Sequence, residues 1–287
     1  MTRFLGVDLA WAEGSATKPA NESGLACIDE TGLVLDAGWA RGTDAVMAWI
    51  DSLWEPGAVL AIDAPLVVNN ATGMRLCERE TGSRYGSWYV SANASNLGRP
   101  WQGGVAIRRR LEASGWTYTD GLASTPPAAA SFFECYPYTT LVGAEEFGYA
   151  DKRPRYKRMG VSLPLDERRA ARAVVCDDLI QRIWRLTDAT PPLDLGTHPV
   201  SDALVTVPSP LLDRAYKHRE DLIDSLLCAW TASLWWHRGT ERCQVLGALD
   251  EVSEEGRRPT IIAPARPGQR RTAEGARLVT APGTSVP

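Results

Sequence analysis

Histidine is scarce in this chain: His198, His218 and His237 are the only three in 287 residues. None of the six cysteines (Cys27, Cys77, Cys135, Cys176, Cys228, Cys243) falls in a Cys-x-x-Cys pair. Together these two shortages argue against a zinc centre built from Cys and His. Each cysteine sits mostly among apolar neighbours, the setting of a buried free thiol in a reducing compartment. Lysine is nearly as rare, with only Lys18, Lys152, Lys157 and Lys217. Almost all positive charge is therefore arginine, a bias that a GC-rich genome explains as well as a ligand does. Long apolar runs are also missing. The longest, 226–236, is well short of the roughly 20 residues that span a bilayer. Asp8 interrupts the N-terminal apolar run and no small-residue cleavage site follows, so no signal peptide is read there. The expectation is a soluble, cytoplasmic protein without a membrane partner. Excess positive charge is absent too: the formal net charge is −4. That argues against coating nucleic acid by bulk charge, though it leaves room for a local basic cleft.

What is present is enough apolar material for a core. Hydrophobic residues make up 44% of the chain, which suits one large domain or two small ones rather than a disordered polypeptide. Apolar patterning predicts strands over 3–10, 24–28 and 33–40. The turn residues Asp29-Glu30-Thr31-Gly32 join the second to the third, and a Gly/Pro/Ser/Asn-rich loop covers 13–23. Thr43 is placed as the N-cap of a helix through Leu53, and 59–62 is a short, wholly apolar strand of the sheet interior. Helices are predicted over 74–80 and 106–114, with a long loop at 82–104 between them. A strand follows at 131–136 and a short helix at 138–147. The helix predicted over 166–186 carries the stripe Ala170, Val174, Val175, Leu179, Ile183 and Leu186. A second long helix covers 220–236, two terminal strands cover 243–249 and 259–263, and the tail beyond Pro264 is expected to be disordered. The fold class is α/β: a three-strand meander, a crossover helix and further strands in a mixed sheet flanked by helices. The domain runs over 1–265 with an inserted helical subdomain around 138–215, followed by the tail 266–287.

Against this background four acids stand out. Asp8 ends the apolar run Phe4-Leu5-Gly6-Val7, and Asp63 ends Val59-Leu60-Ala61-Ile62. Asp221 and Asp224 lie in a segment otherwise fit for a buried helix, Leu222-Ile223 and Ser225-Leu226-Leu227-Cys228-Ala229-Trp230. A carboxylate in such a place must be paired, protonated or bound to a cation. The i, i+3 spacing puts Asp221 and Asp224 near one helix face. Glu134, in the predicted strand at 131–136, is a fifth acid of interest. Structural roles stay open for each: Asp8 as a turn cap, Asp63 opening an Asp-x-Pro turn, Asp221 as a first-turn acid favoured by the helix dipole, and Glu134 in a buried pair with an arginine.

The motifs Gly6-Val7-Asp8-Leu9-Ala10-Trp11, Ala61-Ile62-Asp63-Ala64-Pro65-Leu66, Glu134-Cys135-Tyr136-Pro137 and 221–229 resemble an uncharacterised family. That family is catalogued as a domain of unknown function and described as predicted RNase H-like nucleases. The resemblance covers roughly the first 265 residues. It implies an RNase H-like mixed sheet with a helical insertion. It also implies metal-dependent hydrolysis of nucleic-acid phosphodiester bonds, with Mg²⁺ or Mn²⁺ as the cofactor and nucleic acid as the partner. In the wider superfamily one acid lies on the first strand, one on the fourth and one or two on a late helix. Carried onto this sequence, Asp8 would bridge two ions, Asp63 would bind one and Asp224 the other. Asp221 joins the metal set, and Glu134 is a further catalytic candidate.

For substrate contact the candidates are Arg75, Arg79, Lys217, His218 and Arg219, with the run 108–110 behind them. The basic segment 152–158 reads first as a solvated loop. Trp88, Tyr89 and Trp101 are candidates for stacking on bases, or for packing the loop that carries them. Two other classes are open. A module of the same fold could bind without turnover. An actin-like or sugar-kinase-type phosphotransferase is disfavoured because the turn after Asp63 carries Pro65, which lacks the N–H a phosphate would need.

Overall fold

The computed structural model describes residues 1–12, 19–100, 102–123, 129–160 and 162–269. Three strands, β1 (Arg3–Asp8), β2 (Glu22–Asp29) and β3 (Val34–Arg41), form an antiparallel meander. Gly32 turns the β2–β3 connection at a φ of +83°, a backbone conformation that favours glycine. Helix α1 (Gly42–Ser52) then crosses over, and β4 (Val59–Asp63) pairs parallel to β1. Helices α2 (Leu76–Tyr85) and α3 (Gly103–Ala113) lead to the short β5 (Thr117–Tyr118) and to β6 (Ser131–Glu134), which pairs parallel with both β4 and β5. The six-stranded order is β3-β2-β1-β4-β6-β5, so β1 and β4 lie in the middle.

Alternation along these strands builds two cores, because successive side chains point to opposite sheet faces. Leu5, Val7, Leu60 and Ile62 face α1 and α3, where Val46, Ile50, Ile107 and Leu111 cover them. Phe4, Ala26, Ala61 and Phe133 face the other way, toward the helix α7 (Asp213–Arg238). This helix lies across β1, β2 and β4 and is buried at every position from Arg219 to Trp235. Helices α4 (Pro137–Gly143), α5 (Leu165–Trp184) and α6 (Pro199–Thr206), together with the antiparallel pair β7 (Cys243–Leu246) and β8 (Ile261–Pro264), complete the structure. Leu141, Cys176, Leu179 and Leu204 from the helices between β6 and α7 belong to the same core as α7.

Three sequence expectations shift. The irregular stretch is shorter than 82–104, since α2 runs on through Gly82 to Tyr85 and a 3-10 turn covers Gly86–Trp88. Tyr85 is fully buried with its hydroxyl donating to the Pro264 carbonyl at 2.6 Å, an anchor that outweighs the weak helix preference of glycine. The apolar stripe of α5 is rotated: Val174 is 68% exposed and Ala170 is exposed, while Ala173, Cys176, Leu179, Ile180 and Ile183 are buried. The helix turns inward the face that meets the α7 core, and Arg172 joins it by laying its guanidinium over the Tyr216 ring. Helix α1 begins at Gly42, with Arg41 rather than Thr43 at the cap position. Part of the loop expected at 13–23 and most of the tail expected to be disordered lie outside the described residues. Among the described residues no helix is long and apolar enough to cross a membrane.

Candidate metal centre

Asp8 and Asp63 end neighbouring parallel strands and pair directly in register. Both point to the α7 face, in line with Gly6 and Ala61. Helix α7 comes unusually close there. A Cβ on Gly6 would lie 2.0 Å from the Ser225 carbonyl oxygen, and one on Gly24 would lie 2.0 Å from the Asp221 carbonyl oxygen. Side-chain-free positions on β1 and β2 thus let the helix backbone press onto the sheet, and the fully buried Asp224 meets Asp8 and Asp63. One carboxylate oxygen from each of the three acids lies within 4.8 Å of the other two.

Asp224 is held from its far side. Its Oδ1 accepts a hydrogen bond from the buried Tyr156 hydroxyl, and its Oδ2 is in ion-pair contact with Lys157 Nζ, off the hydrogen-bond direction. Burial pushes the Asp8 carboxyl well above its usual range, helped by Asp224 and Asp63 and opposed by Lys157 and Lys217. Burial likewise pushes Asp63 up to about 7, against the pull of Lys157. For Lys157, burial works against the charge, but Asp224, Asp8 and Asp63 override it and hold the ammonium charged far above the ordinary lysine range. Like charges this close, with partial desolvation, make a site that gains from a cation.

Asp221 is not among the three clustered acids. It lies one turn earlier on α7, and Lys217 Nζ sits 2.5 Å from its Oδ1. Burial raises its pKa while Lys217 lowers it. Glu134 stands apart as well. Arg75 grips both its oxygens at 2.8 and 2.6 Å, and the Leu66 amide donates to Oε2 at 2.9 Å. Burial raises its pKa against the effect of Arg75. The same buried guanidinium bonds Glu78 Oε1 at 2.9 Å and the Val67 carbonyl at 3.0 Å. Arg75 therefore faces the interior, not a substrate surface.

The other basic candidates divide. Arg79 is exposed on α2, donating to the Met74 carbonyl of its own chain segment. Lys217 reaches the acids, bridging Glu220 and Asp221. His218 stacks on Trp39 with centroids 3.5 Å apart and contacts Glu22 through Nδ1. Arg219 is buried and donates to the carbonyls of Leu204 and Val207, closing the C-terminal end of α6. Arg108 is buried between the Leu66 carbonyl, Glu112 and Glu255; Arg109 pairs with Glu255, and Arg110 with Asp44. Trp88 donates to the carbonyls of Tyr149 and Ala150, Tyr89 is exposed, and Trp101 lies outside the described residues.

The residues that sequence reasoning missed are Tyr156 and Lys157. The segment 152–158 is not wholly solvated: Pro154 and Tyr156 are buried, Arg155 and Arg158 are exposed, and Lys157 is half-buried against the acids. Pro154 and Tyr156 are the apolar and aromatic residues that interrupt the basic run, and they are its buried positions. Arg153 ties the segment down, with Nε donating to the Tyr89 carbonyl at 2.7 Å and Cζ 4.1 Å above the Tyr138 ring.

No curated protein and no solved structure matches the chain. A family model does, over residues 6–248, a span that contains all three clustered acids. The chain belongs to the family described as a protein of unknown function (DUF429).

Proposed function

We propose that this protein is a divalent-cation-dependent nuclease of RNase H-like type that hydrolyses nucleic-acid phosphodiester bonds in the cytoplasm. The observation that carries the reading is the convergence of Asp8, Asp63 and Asp224 from two adjacent strand ends and a buried helix. Their donor atoms are all hard carboxylate oxygens, which suit Mg²⁺ or Mn²⁺. Nitrogen and sulfur ligands of the kind zinc favours are not part of the cluster. The strand order, with an antiparallel β1–β3 meander and parallel β4 and β6, agrees with the sheet that the sequence resemblance implies.

Bound divalent cations would supply an activated water and charge neutralisation at the leaving oxygen. The chain's own residues prepare the place for them. Asp8 ends the central strand β1, Asp63 pairs with it from β4, and Asp224 is fixed in orientation by Tyr156. Lys157 and Lys217 offset part of the negative charge and give the approaching phosphate a local positive field in an otherwise acidic molecule.

The test is cleavage of labelled RNA, DNA, hybrid and branched substrates with Mn²⁺, with Asp8→Asn alongside. The expected result is cleavage of at least one substrate and a fall of about a hundredfold or more in the variant. Mn²⁺ should raise the melting temperature of the wild type but not of Asp8→Asn. Cleavage that Asp8→Asn leaves unchanged would overturn the assignment. Absence of both cleavage and Mn²⁺ stabilisation would favour a binding module without turnover.

A further inference from the structure

Two lysines approach the acids of the centre, and they are held in different ways. Lys217 has a side chain that is 59% exposed and pairs with Glu220 and Asp221 on its own helix. Lys157 comes from outside α7 and has a side chain only 20% exposed. It contacts Asp224, whose side chain has no exposed surface. The backbone beside Lys157 is pinned to α7 at two points. The Tyr156 hydroxyl donates to Asp224 Oδ1, and the Tyr156 carbonyl accepts a hydrogen bond from the Tyr216 hydroxyl at 2.6 Å. The ammonium also lies over two rings, with Nζ 5.2 Å from the centroid of Tyr138 and 5.6 Å from that of Tyr156. Aromatic faces attract cations, so rings and carboxylate together make a seat for this charge.

The seat uses both oxygens of Asp224. Oδ1 takes the Tyr156 hydroxyl, and Oδ2 takes Lys157. A divalent ion added at Oδ2 would meet a like charge at contact distance, at a carboxylate that water does not reach to screen. The neighbouring acids offer no other place for it. Glu220 and Asp221 share Lys217, and Arg75 holds both oxygens of Glu134. Asp8 and Asp63, paired in register, make no ion pair among the described residues.

We infer that the centre takes a single divalent cation and that the Lys157 ammonium stands in the place of a second. The inference rests on the nuclease reading and deepens it. In hydrolysis the ammonium supplies fixed positive charge beside Asp224, available to the negative charge that develops on the phosphate. A charge carried on the chain need not be recruited from solution, and Tyr156 fixes its position relative to Asp224.

The test counts bound Mn²⁺ by equilibrium dialysis without nucleic acid, with Asp8→Asn giving the ions held elsewhere on the surface. Above that background, wild type should hold about one Mn²⁺ per chain. Lys157→Met and Lys157→Gln remove the charge and release Asp224 Oδ2, so each should hold about two. Lys157→Arg keeps the charge and should stay at about one. All variants are first shown to melt cooperatively in EDTA. The wild-type count needs no change at Lys157 and decides the matter even where the neutral variants fail to fold. Two ions in wild type would overturn the inference, as would neutral variants whose count stays at one; either result leaves the metal centre standing. Wild type that binds no Mn²⁺ above the Asp8→Asn background would instead remove the metal centre, and with it both the nuclease reading and this inference.

Discussion

Asp63 pairs across the sheet with Asp8, and its carboxyl is pushed up to about 7 by burial and by Asp224, against Lys157. Such a shift has a consequence for stability without metal. A carboxyl whose folded pKa lies above its ordinary value of 3.8 favours the folded state when protonated. Its contribution is complete below the ordinary value and is lost as pH rises through about 7. Asparagine at this position does not titrate. In EDTA, Asp63→Asn should therefore gain stability relative to wild type between about pH 5 and about pH 8, read from urea denaturation of both proteins. A stability difference that stays constant over that range would show that Asp63 ionises normally. Lys157 carries the complementary lesson. A lysine in a basic run is ordinarily a solvated charge, but here its ammonium lies against the fully buried Asp224, and Tyr156 completes the hold on the same carboxylate.

At the scale of elements, the centre depends on how closely α7 approaches β1 and β2. Two glycines set that distance, Gly6 against the Ser225 carbonyl and Gly24 against that of Asp221. Backbone stands on the far side of both contacts, so a methyl group cannot be accommodated by a rotamer change. Gly6→Ala should destabilise the protein by about 1–3 kcal/mol or more through overpacking. By lifting Asp224 away from Asp8 and Asp63 it should also weaken Mn²⁺ stabilisation. Denaturation and Mn²⁺ titration of the variant check both effects. Wild-type melting with wild-type metal response would show that helix and strand can separate at no cost. The helix itself is dictated locally by its long apolar run, whereas its contact with the two glycines spans about two hundred residues of sequence, from 6 and 24 to 221–229.

For the whole molecule, the buried network of Arg75, Glu78 and Glu134 joins β6, α2, the turn after β4 and, through the Ser95 amide, the segment that follows α2. Removing one member leaves uncompensated charge in the interior, so Arg75→Met should cost about 3–5 kcal/mol. The Glu134→Gln, Arg75→Met double variant should recover part of that cost, measured as a denaturation cycle. Additive losses would mean that the pair is not coupled. Much of the architecture was legible from the chain alone. Alternating and unbroken apolar runs specified the meander, the crossover helix, β4 and β6 and the long α7, because periodicity is a local property set by backbone geometry. The same runs marked Asp8, Asp63 and Asp224 as acids in costly places. Which acids meet was decided only in three dimensions. Glu134 and Asp221 carry the same chemistry and lie in equally apolar surroundings, but Arg75 takes both oxygens of one, while the other pairs with Lys217 one turn short of the cluster. The roles of Tyr156 and Lys157 also follow from long-range packing. A local pattern fixes which face of an element is buried, and only the packed fold fixes what lies against that face.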